Sequence, residues 1–329
     1  MPPKGGFFMP KIKEHTMSKG SAIKLYYAAE ETPGVLPTTP VWKTVRRVTD
    51  GLTENITTST SNSVLDSRFR QGSTADESEI TGSLEVELSI GTFDDFIGAV
   101  AMNAWVVDGV DPEKSTLQFG GDTTKTFTFV KVFSDINQIH VYKGIRIGEL
   151  GLSIATTGKI TATFGLVGTD FEKAVSNPVT GPLPADDAVL VSALNVNTMT
   201  VNGQNTVGTA CVQSVELTIT NNLSAYRCIG SGKLSAQGYN DKMVDITLAT
   251  QFMFTSQSAT YIPFVKSRAT MPLEFAIEDP AGNKYAFNFP QLEVSESSHP
   301  DGGGDDDIML DVSFAHIKTS PVITRTLNA

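Results

Sequence analysis

Four histidines, two cysteines, one Gly-Ser-Gly-Lys run and one aspartate-rich loop are the groups in this 329-residue sequence whose types could do chemistry. Catalysis needs a nucleophile with its base, a carboxylate pair or a metal cluster gathered in one place. His15, His140, His299 and His316 show no HxxxH spacing, and no GxSxG turn exposes a serine. Gly230-Ser-Gly-Lys233 resembles the end of a phosphate loop. The glycine that should open such a loop is absent and no Ser or Thr follows the lysine, so the run reads as a turn. The DGGGDDD run at 301–307 offers oxygen ligands suited to calcium. It lacks a regular ligand alternation and lies between two expected strands, where Gly and Asp are ordinary turn formers. Cys211 and Cys228 have no CxxC partner and no clustered histidine, and read as two reduced, partly buried thiols. The expectation is a protein without catalytic, cofactor or metal residues, not an enzyme.

What is left is charge set out at regular spacing. In residues 80–90 (ITGSLEVELSI), Leu84, Val86, Leu88 and Ile90 fall on one face of a strand. Ser83, Glu85, Glu87 and Ser89 fall on the other, because strand side chains alternate with period two. One face packs and the other stays wet. Thr92-Phe-Asp-Asp95 then has the form of a capping box, and Phe93, Phe96, Ile97 and Val100 follow at helical spacing, which predicts a short amphipathic helix. Residues 243–252 (MVDITLATQF) repeat the alternation, with Asp245, Thr247 and Gln251 on the corresponding wet face, and residues 260–269 stand where a second helix would follow.

The elements that position these residues recur in one order. Residues 47–171 and 211–317 each read as a polar strand, an alternating strand, a short helix, another strand and a closing pair; 145–154 and 159–167 match 285–294 and 307–317. Identity between the copies is low, so order and period carry the comparison. A repeat near half the chain points to two domains and away from a solenoid. The fold expected is all-β with minor α: two tandem β-sandwich modules, each with a short flanking helix. The boundaries are a basic N-terminal arm at 1–21, a first module at 22–174, a linker and bridging hairpin at 175–209, a second module at 210–318 and a C-terminal tail at 319–329. The Pro-rich stretch 175–187 marks the break, and Asn202-Gly203 is a two-residue hairpin signal. Strands are also expected at 22–29, 41–48 and 189–201. Residues 65–79 hold Arg68, Arg70, Asp76, Glu77 and Glu79 with little apolar content, and read as a long polar loop that docks on another subunit.

Composition narrows the function. The formal charge is −11, yet residues 1–24 carry five Lys and one Glu, so the remainder holds −15. An acidic body with a small basic arm lacks the footprint of a protein that grips phosphates. No stretch is long and apolar enough to span a bilayer, and residues 1–10 do not read as a secretion signal. Met17 reads as a second start that would make the first sixteen residues a dispensable arm.

The stretches 83–100 (SLEVELSIGTFDDFIGAV), 144–154 (GIRIGELGLSI), 159–168 (KITATFGLVG), 278–290 (EDPAGNKYAFNFP) and 308–314 (IMLDVSF) resemble the tail tube protein family of long, non-contractile-tailed bacteriophages. The likeness covers residues 22–317 and rests on packing and turn patterns. It implies that inner sheets join into a ring-shaped β-barrel of six-fold or pseudo-six-fold symmetry, and that rings stack into a hollow tube. Implied partners are further copies of the chain in trimeric pseudo-hexameric rings, a tape-measure protein in the lumen, tail terminator and tail-tip proteins, and DNA that passes without binding. The implied location is the virion tail, assembled in the host cytoplasm, with no membrane. On this reading Glu85, Glu87, Asp245, Thr247 and Gln251 are lumen candidates, and Arg68, Arg70, Asp76, Glu77 and Glu79 are inter-ring candidates. The competing reading is a β-sandwich module that binds a receptor or carbohydrate through loop aromatics, of which Trp105 and Tyr239 are conspicuous.

Overall fold

Period-two burial marks many of the strands of the computed structural model, which describes residues 17–328 except 65, 67, 187, 189, 198 and 300–302. The first half of the chain supplies β1 (Ile23–Glu30), β2 (Lys43–Thr44), β3 (Thr49–Asp50), β4 (Thr53–Thr60) and β5 (Ser73–Glu87). Helix α1 (Asp94–Ala101) follows, then β6 (Val106–Val107), β7 (Lys114–Gln118), β8 (Thr126–Phe133), β9 (Gln138–Ala155), β10 (Thr161–Gly168) and β11 (Asp170–Ala174). β9 belongs to two sheets. Its N-terminal half lies between β8 and β11 in a small sheet that also holds β1 and β2, and its C-terminal half lies between β10 and β14 (Val212–Thr220) in the main sheet. Gly144, at φ +62°, sits where β9 passes from one sheet to the other, and a Cβ there would lie 2.0 Å from Thr169 Oγ1. Only glycine meets both demands.

In the second half, helix α2 (Ser192–Asn195) and the hairpin β12 (Thr200–Val201) and β13 (Gln204–Asn205) precede β14. After it come β15 (Ser224–Tyr226), β16 (Gly238–Asn240), β17 (Asp245–Met253), helix α3 (Phe264–Ser267), β18 (Thr270–Glu278), β19 (Lys284–Ser298), β20 (Met309–His316) and β21 (Val322–Thr326). The main sheet runs β4–β5–β10–β9–β14–β17–β20–β19–β18 through antiparallel pairs. The order β4–β5–β10–β9 is followed by β14–β17–β20–β19, and the two runs join at β9–β14. Within one chain the sheet is open. Among the described residues β4 pairs only with β5, and residues 296–298 of β19 pair only with β20.

The packed face of the main sheet lies in one continuous core, and Ala28, Trp42, Val130 and Val141 form a second, smaller cluster at the small sheet. In the first half Leu84, Val86, Leu150, Leu152 and Phe164 lie beneath Tyr27, Phe93, Phe96, Phe127 and Phe129, all nearly inaccessible. Phe96 contacts Tyr27, Phe127 and Phe164 with ring centroids 4.6, 5.5 and 5.3 Å apart, within the favourable range for aromatic pairs. The second half packs Leu217, Leu248, Phe252, Val312 and Phe314 into the same cluster as Met271, Phe275, Phe287 and Phe289.

Several expectations need correction. Residues 319–329 are not simply a tail: β21 inserts between β19 and β7 and so ties the two halves together. Residues 41–48 form a strand only at 43–44, and residues 189–201 contain a helical turn before a two-residue strand. Asn195 explains that turn, since its side chain accepts from Val191 N and donates to the Glu278 carbonyl. The second flanking helix shrinks to a 3-10 turn, Ser258–Tyr261, and the single turn α3, ended by Arg268 at φ +54°. Helix α1 starts at Asp94 with no side-chain cap, and Thr92 Oγ1 is buried without a partner. Asn202 and Gly203, at φ +52° and +73°, close the β12–β13 hairpin as their sequence predicts. Cys211 and Cys228 are free, and both are exposed rather than partly buried. Residues 1–16 and 300–302 lie outside the described residues, so the basic arm and part of the aspartate-rich loop carry no structural account.

Candidate functional site

The main sheet has one face in the core and one in water, and the wet face is where the predicted charged residues fall. Glu85 and Glu87 alternate with the buried Leu84 and Val86. Asp245, Thr247 and Gln251 alternate with Ile246, Leu248 and Thr250, which are buried. Pairing registers align the two sets across the sheet. One row reads Glu85, Thr163, Gly151, Thr218, Thr247, Ala315, Glu293; the next reads Glu87, Thr161, Ser153, Glu216, Ala249, Ser313, Glu296. All five lumen candidates therefore share one surface.

That surface is acidic and low in relief. Besides Glu85, Glu87 and Asp245 it carries Glu149, Glu216, Glu293, Glu296 and Asp311, separated by Gly, Ala, Ser and Thr. Reading only two strands missed these five. The same alternation, applied to 145–154, 212–220, 284–298 and 309–316, would have found them. Several carboxylates are held locally. Glu87 pairs with Lys159, Glu85 accepts from Thr49 Oγ1 at 3.2 Å, Asp245 from Asn222 Nδ2 at 2.6 Å and Asp311 from Gln251 Nε2 at 2.9 Å. No nucleophile and base converge among these residues. The chemistry available to an acidic sheet face is repulsion of anions, focused where many carboxylates share a low-dielectric wall.

The other predicted group divides. Arg68 and Arg70 are exposed near the tip of the β4–β5 hairpin, where Arg70 reaches Asn62 Oδ1 at 3.3 Å. Asp76, Glu77 and Glu79 lie in β5 itself, which starts at Ser73, so residues 65–79 are not one loop. Glu77 pairs with Arg227 at 2.5 Å. Arg227 belongs to residues 221–244, between β14 and β17, where the sequence offered a turn at 230–233 and no docking role; they fold across the end of the first half. There Arg146 donates to the Tyr239 carbonyl at 2.9 Å and pairs with Asp241. Tyr239 Oη donates to the Gly168 carbonyl at 3.0 Å, and Ser235 Oγ to the Thr169 carbonyl at 2.6 Å.

The conspicuous aromatics are engaged within the chain. Trp105 donates to the Asp94 carbonyl at 3.0 Å, stacks on Tyr285 and lies under the Arg325 guanidinium. Around it Asp94 pairs with Arg325 and accepts from Tyr285 Oη at 2.5 Å, anchoring β21 to the first turn of α1. Burial pushes the Asp94 carboxyl above its ordinary value; the Tyr285 hydrogen bond and Arg325 pull against that shift without cancelling it. Two ring residues thus serve a buried joint and not a loop surface.

No curated protein matches the chain in sequence. A family model described as phage tail tube protein matches residues 20–315, which take in both runs of the main sheet and its whole acidic face. This chain therefore belongs to the phage tail tube family, as a structural component of the virion tail.

Proposed function

We propose that three copies of this chain close into a pseudo-six-fold ring, and that rings stack into a hollow tube with the acidic sheet face lining the channel. The observation that carries this is the recurrence of one strand order: β4–β5–β10–β9, then β14–β17–β20–β19, in a single sheet where β4 and residues 296–298 of β19 have no outer partner among the described residues. Each run is read as one tail-tube module, so a chain fills two of six equivalent places. A sheet of this kind relieves its unpaired edges by joining to itself around a ring. Its inward face then presents Glu85, Glu87, Asp245, Thr247 and Gln251 to whatever passes through. DNA in such a channel gains no counterion-release affinity for the wall and can slide. A tape-measure protein would fill the lumen before the genome, with terminator and tip proteins at the ends and assembly in the host cytoplasm.

Electron microscopy of the purified protein, with native mass measurement of single rings, tests the reading. Rings of three chains, stacked into tubes, are expected. Rings of six chains would remove the two-module count, and persistent monomers under assembly conditions would remove the tube reading itself.

A further inference from the structure

We infer that a neighbouring copy of this chain seats its β4 on residues 296–298 of β19, in a register set by the chain's own β9–β14 junction. The inference rests on the ring reading above and names the contact that closes the ring. Its basis is a match between the two runs of the sheet. β9 has an extra residue at Gly148, between the pairs Ile147–Leu166 and Glu149–Gly165. β19 has an extra residue at Ser295, between the pairs Val294–Phe314 and Glu296–Ser313. Aligning these bulges makes residues 149–151 equivalent to residues 296–298. Carried across the sheet, the same alignment sets Thr163–Glu85 against Asp311–Gln251. Thr81 then matches Thr247, and their partners Thr53 and Thr218 match in turn.

Within the chain, Thr218 pairs with Gly151, Ile219 with Leu150 and Thr220 with Glu149. The equivalent contact between copies pairs Thr53 with Ser298, Glu54 with Ser297 and Asn55 with Glu296. Where the internal junction buries Ile219 beside Leu150, the external one brings Glu54 beside Ser297. Polar residues on both edges suit a strand pair that must wait, exposed, for its partner.

The chain beyond each of these edge pairings supplies a second observation. Residues 221–244 lie across the first half with Asp241 on Arg146. Residues 56–78, which are the outer part of the β4–β5 hairpin, stand at the equivalent place and carry the exposed Arg68 and Arg70. The residue equivalent to Arg146, which pairs across from Val167, is Glu293, which pairs across from Ala315. The bed residue is thus exchanged, arginine inside the chain for glutamate between chains, and Arg68 and Arg70 are the cations that the arm between chains carries beside Asp66, Asp76 and Glu77. This places Arg68 and Arg70 on the neighbour in the same ring, in place of the contact with a stacked ring that their sequence suggested.

The test uses the full chain with Cys211→Ser and Cys228→Ser. Asn55→Cys with Glu296→Cys should oxidise to covalent dimers and trimers about tenfold more efficiently than the offset pair Asn55→Cys with Ser298→Cys, whose sites lie two residues, about 7 Å, out of register. Separately, Glu293→Lys should weaken ring formation about tenfold or more, and adding Arg68→Glu and Arg70→Glu should restore it. Unchanged melting of the monomeric variants separates assembly from folding. Rings with equal or absent crosslinking in both pairs overturn the register while leaving the tube reading intact. Normal rings from Glu293→Lys alone overturn the charge exchange, and a wild-type chain that makes no rings overturns the tube reading with the rest.

Discussion

Lys131 is the residue whose setting departs furthest from what its neighbours in sequence suggest. It interrupts the apolar run of β8, where it looks like an outward-facing polar position, yet its side chain is only 8 % exposed. Its ammonium pairs with Asp50, 6 % exposed, at 2.8 Å and also donates to the Leu52 carbonyl. Burial pulls its pKa below the ordinary lysine value, and Asp50 opposes that shift. Lys131→Met leaves the Asp50 carboxylate buried without its partner, and should cost about 3–5 kcal/mol in denaturant unfolding of the monomer. The double variant Lys131→Met with Asp50→Leu should recover most of that loss, since a buried pair can be exchanged for apolar side chains with little net cost. A single variant within about 1 kcal/mol of wild type would show that the pair is not what secures β3 against β8. Neither partner was legible in the sequence, because the contact joins residues brought together only by the fold. Glu85 and Glu87 were legible, because alternation with Leu84 and Val86 is a local property of one strand.

Among the elements, the β4–β5 hairpin was the hardest to read. Outside residues 80–87 its strands hold Thr, Ser, Asn and Glu on both faces, so they show no alternation of apolar and polar residues, and 65–79 looks like a loop. The only strand signal is its β-branched content: Thr53, Ile56, Thr57, Thr58, Thr60 and Thr74. β21 was missed for a related reason, being five residues long and close to the end of the chain. Helix α1 and the strands β5, β9, β10, β17 and β20 were legible because each buries one face against the core. The hairpin's exposure makes its tip removable. Ser61 N donates to the Gly72 carbonyl at 2.9 Å, so a two-residue Asn-Gly turn in place of residues 62–71 closes the same hairpin. Monomer stability should change by less than about 0.5 kcal/mol, as for other surface changes remote from the core. Ring formation should fail, because Arg68 and Arg70 go with the tip. Single rings that form but do not stack would instead assign the tip to the adjacent ring, and tubes of normal length would relieve it of any assembly role. The cut stops short of Ser78, which is buried and bonded to both Glu54 and Leu234.

At the scale of the whole molecule, the proposed ring would close a sheet with an acidic face around a hole. Isolated, each carboxylate on that face is worth little, since exposed charges more than about 8–10 Å apart are screened at physiological salt. Brought into a ring, carboxylates from every strand face one another across a shared space, and their fields add over its surface. Thr, Ser, Gly and Ala between them keep the wall low, and the small depression that Gly151, Ser153, Thr161, Thr163 and Thr218 line has Glu216 at its side. Replacing Glu85 and Glu87 by Lys tests this directly. Both positions lie on the wet face, partly exposed and away from the core, so the variant should fold and assemble. Lys159, which loses its partner at Glu87, is itself half exposed and can turn to water. In the proposed three-chain ring the change would turn two carboxylates of each chain into ammonium groups, each able to contact phosphate and release a counterion. DNA ejection through such a tube should slow or stall, and added salt should relieve the defect, because phosphate contacts weaken steeply as salt rises. Unaltered ejection kinetics at low salt, measured on particles carrying the charge-reversed tube, would mean that these two glutamates do not face the DNA.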